Sequence, residues 1–266
     1  MPRISLRSTI LCACVAVLAS ALTVNAQDFQ KNYSLTAGGS VAVKNVSGNV
    51  NIKGSDVSGV SVAVFKEGPD RDKVEVEDLS SANRVELHAK YPQDCRCNAS
   101  LRFEISVPRS LNINIDRITI ASGDVNVDGV TGKVAIRTAS GDVKASNVNG
   151  EVDASTASGE VSVTNVVGTV NARSASGNVQ AEIAGLQGGG DMKFSSASGD
   201  VKVTMPSNID ADVRMTTTSG SINTDFPLQV KKHEYGPGSE ATGRLGAGSR
   251  NIQISSASGD VSLTHQ

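Results

Sequence analysis

The sequence predicts an all-β protein: a parallel β-solenoid with 18-residue, two-strand coils, preceded by an irregular or antiparallel β region. Three observations carry this reading. A four-residue motif returns at a fixed period, the residues between its copies alternate apolar and polar, and large side chains are scarce. Hydrophobic residues make up 38% of the 266, aromatics only 3%, and tryptophan is absent, so the interior must be thin and built from Val, Ile and Ala.

The period comes first, because a missed repeat mis-assigns the whole fold. Ser122-Gly123-Asp124-Val125, Ser140-Gly141-Asp142-Val143, Ser158-Gly159-Glu160-Val161 and Ser176-Gly177-Asn178-Val179 follow one another every 18 residues. The motif returns around Gly199, Gly220 and Gly259, with an outlying copy at Ser47-Gly48-Asn49-Val50. A second glycine series, Gly132, Gly150 and Gly168, is offset by nine residues. Within one unit, Val143 and Ala145 alternate with Asp142 and Lys144, as do Val152 and Ala154 with their neighbours, which is the signature of strands with one buried face. Asn149-Gly150 and Ser158-Gly159 turn the chain between them. Two short strands cannot hide their apolar face alone; consecutive copies piled as rungs can. The solenoid is placed at residues 111–266.

Three insertions break the period. One is Gly185-Leu186-Gln187-Gly188-Gly189-Gly190, the second is marked by Pro206, and the third is a long excursion over residues 225–250. The excursion is expected to cap the last coil and guard an open sheet edge, with a ligand-binding loop as the alternative. Residues 27–110 carry alternating runs such as Val60–Val64 and Phe103–Val107 without the strict repeat. They are expected to form antiparallel hairpins over the N-terminal end of the coil.

Residues 1–26 read as a secretory signal peptide. Arg3 and Arg7 precede an apolar run, and Val24-Asn25-Ala26 supplies small residues before Gln27. The expected destination is therefore the periplasm, the cell surface or the medium, with no transmembrane span in the mature chain. In such a compartment Cys95 and Cys97 are expected to pair as a disulfide across the turn Tyr91–Asn98. Intermolecular or reactive thiols, or a metal site with His88 and Asp94, are the alternatives; C-x-C spacing does not fit a structural zinc site.

Charge and motif content exclude several functions. With 25 basic against 27 acidic residues there is no basic footprint for nucleic acid. The repeat lacks the paired glycines of calcium-binding rolls, since Gly141 falls where the ligand Asp belongs. The acidic column Asp124, Asp142 and Glu160 is interrupted by Asn178 and Ser221, which fits a solvated face better than a cation site. His88, His233 and His265 lie outside the regular coils, unlike the catalytic histidine of hexapeptide acyltransferases. No nucleophile elbow or phosphate loop is present. Neither a catalytic residue nor a cofactor or metal is assigned.

The pieces Val107-Pro108, Thr138-Ala139-Ser140-Gly141-Asp142-Val143, Thr156-Ala157-Ser158-Gly159-Glu160-Val161 and Ile252–Val261 resemble the bacterial putative-adhesin domain family, a group of unknown function with S-G-D-[IV] turns in a β-solenoid. The resemblance covers roughly residues 40–264 and transfers no catalytic residue. Together these features predict an exported, non-enzymatic envelope module whose outer faces, including Asn126, Lys144, Ser162, Gln180 and Lys202, meet a protein or glycan. A carbohydrate-active β-helix enzyme and a structural or signalling spacer are the competing readings.

Overall fold

The computed structural model describes residues 28–232 and 237–266; the expected signal peptide and its cleavage point lie outside the described residues. The N-terminal strands are β1 (Phe29–Tyr33), β2 (Ser40–Ser47), β3 (Val50–Ser55), β4 (Val60–Glu67), β5 (Glu75–Asp78), β6 (Arg84–Lys90) and β7 (Ser100–Pro108). The regular coils follow as β8 (Asn114–Ser122), β9 (Val125–Asp128), β10 (Val134–Ser140), β11 (Val143–Ser146), β12 (Val152–Ser158), β13 (Val161–Val167), β14 (Val170–Ser176), β15 (Val179–Gly185), β16 (Met192–Ser198) and β17 (Val201–Met205). The C-terminal part holds β18 (Ala211–Ser219), β19 (Ile222–Thr224), β20 (Gln229–Lys232), β21 (Ser239–Leu245), β22 (Asn251–Ser258) and β23 (Val261–His265).

These strands form two sheets. Sheet I has eleven strands in the order β1-β4-β7-β3-β9-β11-β13-β15-β17-β23-β19; sheet II has twelve, β20-β21-β18-β22-β16-β14-β12-β10-β8-β2-β6-β5. Each rung contributes one strand to each sheet, and rung-to-rung pairing is parallel. Val125, Val143, Val161 and Val179 stand opposite one another in a single file continued by Val201 and Val261. All six are buried, as are Val134, Val152 and Val170 facing them from sheet II. The small interior makes small residues obligatory: Ala145, Ala154, Ala172 and Ala181 are fully enclosed beside those valines.

The corner glycines follow from the stacking. Gly141 has φ +129°, and a Cβ there would strike the carbonyl oxygen of Gly123 in the rung before. The same φ region is used at Gly123, Gly159, Gly177, Gly199 and Gly259. Gly220 departs from this, because its φ is not in that region, yet its missing side chain still makes room for the Gly259 carbonyl.

The ends depart from simple sequential stacking. Consecutive units were expected to lie on one another throughout, but the last rung, β22–β23, sits between β16–β17 and β18–β19. The chain first builds the outer rung, runs through the β20–β21 hairpin that pairs antiparallel onto β18, and then returns to fill the gap. The N-terminal end repeats this device. The β2–β3 pair lies between β8–β9 and β6–β7 in parallel register, with Ser47 opposite Ser122 and Val50 opposite Val125. Among the described residues, antiparallel pairing in the N-terminal part is found in β1–β4, β4–β7 and β5–β6 and in an isolated bridge between Ser81 and Arg84. The region is thus mixed, because the outlying Ser47–Val50 copy is a genuine rung.

Candidate functional site: a polar face of side-chain columns

Stacking turns every repeat position into a column, and two columns are consumed by the corners. Asp124 Oδ1 accepts the backbone N–H of Asp142 at 2.9 Å, and Asp142 Oδ1 accepts that of Glu160 at 2.8 Å. Asn178, Asp200 and Asp260 do the same for Asp200, Asp260 and Ser221. The acidic column therefore ties turns together, and an amide serves as well as a carboxylate, which explains the interruption at Asn178. Inside the corner, the hydroxyls of Thr156, Ser174, Ser196, Ser256 and Thr217 donate to glycine carbonyls of the neighbouring rung at 2.8–3.1 Å. These carbonyls would otherwise be orphaned beside the core. In the β2–β3 rung Asn45 takes over, its Nδ2 donating to Gly48 at 3.0 Å and Leu101 at 2.8 Å.

The outer face of sheet I is polar and exposed. Asn126, Lys144, Ser162, Gln180 and Lys202 form one column, extended by Asn51 and Glu104 on one side and by Ser262 and Asn223 on the other. Beside it runs a second column of Lys53, Asp128, Ser146 and Thr164. Where the two meet β3 and β7, a shallow depression of about 470 Å³ is lined by Asn51, Lys53, Glu104, Asn126, Asp128 and Lys144. Asn51 donates to Glu104 at 3.0 Å, and Arg102, held over the Phe65 ring, donates to the same carboxylate at 2.8 Å. Asp128 accepts from Asn147 at 2.6 Å and from Ser146 at 2.8 Å. Those two bonds, with Lys53 and Arg109 nearby, hold its carboxyl below the usual range against a smaller effect of burial. Lys144 and Lys53 enter no ion pair among the described residues. The depression thus offers free ammonium groups, amides and pre-aligned carboxylates, with no aromatic ring.

Sequence reasoning named Asn126, Lys144, Ser162, Gln180 and Lys202 on the outer faces without joining them as one column, and missed Asn51, Lys53, Glu104 and Asp128. Aligning Ser47-Gly48-Asn49-Val50 on Ser122-Gly123-Asp124-Val125 would have found Asn51 and Lys53; Glu104 had no such signal, because β7 lacks the motif.

The other candidates lie elsewhere. Cys95 and Cys97 are joined as a disulfide in the connection between β6 and β7, with Cα atoms 5.0 Å apart. His88 is on the outer face of sheet II, 3.0 Å from Glu86, which Arg84 also engages. No cluster of three or more His, Cys, Asp or Glu suited to a metal occurs among the described residues. Arg250 is buried at the corner before β22; its Nη2 donates to Gly188 at 2.7 Å, while Nε and Nη1 meet no acceptor among the described residues. No helix among them is long and apolar enough to cross a membrane.

A crystal structure of a "putative adhesin" from Bacteroides fragilis is similar at 14% identity over 90% of this chain and 96% of that one, with a TM-score of 0.41. A "putative cell adhesion protein" from Clostridium sporogenes shares 12% identity over 90% and 99% of the two chains, with a TM-score of 0.38. A "putative adhesin" from Parabacteroides distasonis shares 13% over 88% and 96%, with a TM-score of 0.36. Among curated proteins none matches. The Toastrack DUF4097 family matches residues 22–264, nearly the whole chain and every rung described above, and the chain belongs to that family.

Proposed function

We propose that the protein is an exported, non-enzymatic binding module of the cell envelope that presents the outer face of sheet I to a glycan. The observation that carries this reading is the parallel register of that face. Amide, hydroxyl and ammonium groups repeat along the stack at the strand spacing of about 4.8 Å, comparable to the length of one sugar ring. A linear polymer laid along the axis meets the same kinds of donor and acceptor at each step, so many weak polar contacts add up without an aromatic platform. The interlocked corners keep the face rigid, so little ordering entropy is lost on binding.

The test is capture of envelope polysaccharides on immobilised residues 27–266. Lys144→Glu is expected to weaken capture about ten- to a hundredfold, the range for a charged hydrogen bond. Arg137→Ser, on the outer face of sheet II, is expected to leave it unchanged. Capture of one envelope protein in place of polysaccharide would move the ligand to the protein class. Turnover of any captured polysaccharide would overturn the non-enzymatic reading.

A further inference from the structure

Sheet II ends in two strands whose outer edges pair with no other strand among the described residues, β5 at the N-terminal end and β20 at the C-terminal end. Their sequences are Glu75-Val76-Glu77-Asp78 and Gln229-Val230-Lys231-Lys232. One edge is acidic and the other basic. Two antiparallel steps, β20 to β21 and β21 to β18, leave β20 running with the main direction of the sheet, whereas the single antiparallel step from β6 leaves β5 running against it. Two copies stacked end to end by translation therefore bring β20 of one against β5 of the next as an antiparallel pair.

One register satisfies every face. Val230 lies in the inward column with the buried Ala241, and Val76 lies in the inward column with Ala89. Val230 is 48% exposed, so an apolar side chain of the inward column stands uncovered at this end. Setting Val230 opposite Val76 closes the file as Ala241, Val230, Val76, Ala89. The same register sets Lys231 opposite Glu75 on the outer face, giving the alternating column Glu240, Lys231, Glu75, Lys90. It also sets Gln229 opposite Glu77. Neither Glu75 nor Lys231 is engaged in an ion pair among the described residues.

We propose that the protein assembles head to tail with further copies of itself, β20 of one subunit adding to β5 of the next through Val230–Val76 and Lys231–Glu75. The two patches differ, so the contact is heterologous and does not close on itself; repetition gives an open filament. Sheet I has one strand fewer than sheet II, so the joint is made by sheet II while β19 and β1 stand two strand spacings apart, with one strand position between them open. This assembly is independent of the glycan face.

Sedimentation and electron microscopy of residues 27–266 over a range of concentrations test it. The expected result is chains that lengthen with concentration and shorten with added salt. Glu75→Lys and Lys231→Glu are each expected to weaken association about tenfold, since an attractive cross-strand pair becomes a repulsive one. The double variant Glu75→Lys/Lys231→Glu is expected to restore it. Circular dichroism matching the parent shows that each variant is folded, as expected for exposed residues outside any ion pair. A protein that stays monomeric at every concentration would show that the charges guard the edges instead and would overturn the proposal. A dimer that grows no further, or assembly indifferent to both reversals, would overturn it too.

Discussion

Between Asn114 and Met205 the chain lays each rung on the one just finished; at both ends it does not. The first rung, β2–β3, and the last, β22–β23, each lie inside the stack, covered on the outer side by β6–β7 and by β18–β19. The difference separates two physical problems. The middle needs only a period, because each new rung finds an edge identical to the last. The ends have to close an apolar interior and manage open edges, and a rung left outermost would be held by hydrogen bonds on one side only. Enclosing it means that losing it requires breaking hydrogen bonds on both sides.

The sharpest way to break this comparison is to delete residues 251–266. In a purely sequential solenoid, removing the last rung trims one end and leaves its neighbours intact. Here it empties a slot between β16–β17 and β18–β19. The deletion removes the buried side chains of Ile252, Ile254, Val261 and Leu263, about 6–12 kcal/mol of burial at about 1.5–3 kcal/mol each. That is comparable to the whole stability of a domain. Residues 211–245 are expected to lose amide-exchange protection while strands from 134 to 205 keep theirs. Full protection of 211–245 in the truncated chain would mean that β18–β19 re-docks on β16–β17 and that the enclosed rung is dispensable.

The same contrast explains what the sequence made legible. In the middle, a glycine every 18 residues and strict alternation placed Val125, Val143, Val161 and Val179 in one file, and the structure agrees. At the C-terminal end the motifs around Gly220 and Gly259 are equally clear, but motif strength says nothing about order in space. The neighbour of Gly199 is Gly259 because a hairpin intervened, and sequence distance cannot report that. At the N-terminal end β6 and β7 carry no motif at all. They became a rung because Phe103 and Ile105 pair with Val50 and Ile52, a long-range fit invisible to periodicity. The polar face of sheet I was half legible for the same reason: its columns follow the repeat from Asn126 onward, and its depression forms where the outlying repeat copy in β3 meets β7, which has no motif.

A smaller effect isolates the middle. Gly141→Ala places a methyl group against the Gly123 carbonyl at a φ of +129°, and neither rung can retreat because each is stacked on both sides. The expected cost is about 3 kcal/mol by thermal or denaturant unfolding. Gly189→Ala, in the first insertion, meets nothing within 4 Å and is expected to stay within about 0.5 kcal/mol of the parent. Equal effects at the two positions would mean that corner glycines are not set by rung contact.

The smallest effect distinguishes the N-terminal end by its polar ties. Asp78, at the close of β5, accepts from Lys31 Nζ at 2.6 Å and from the Tyr33 hydroxyl at 3.0 Å, lashing sheet II to β1 of sheet I across the end of the stack. Burial alone would raise the Asp78 pKa, but the hydrogen bonds from Lys31, Ser80 and Tyr33 outweigh it and hold the carboxyl at about 2. Burial also pushes the Tyr33 hydroxyl up to about 12, so it remains a donor throughout the neutral range. An unfolded aspartate ionises near pH ~3.9. The tie therefore contributes its full stability above that pH and loses it as pH falls from about 4 through about 2. Amide-exchange protection of β1 and β5 is expected to fail within this window while the strands from 134 to 205, joined by valine files and backbone ladders, hold. Asp78→Asn should lower that protection at neutral pH and flatten its decline on acidification. If the parent and the variant decline in parallel, the acid sensitivity of this end belongs to other groups and the lashing role of Asp78 is wrong.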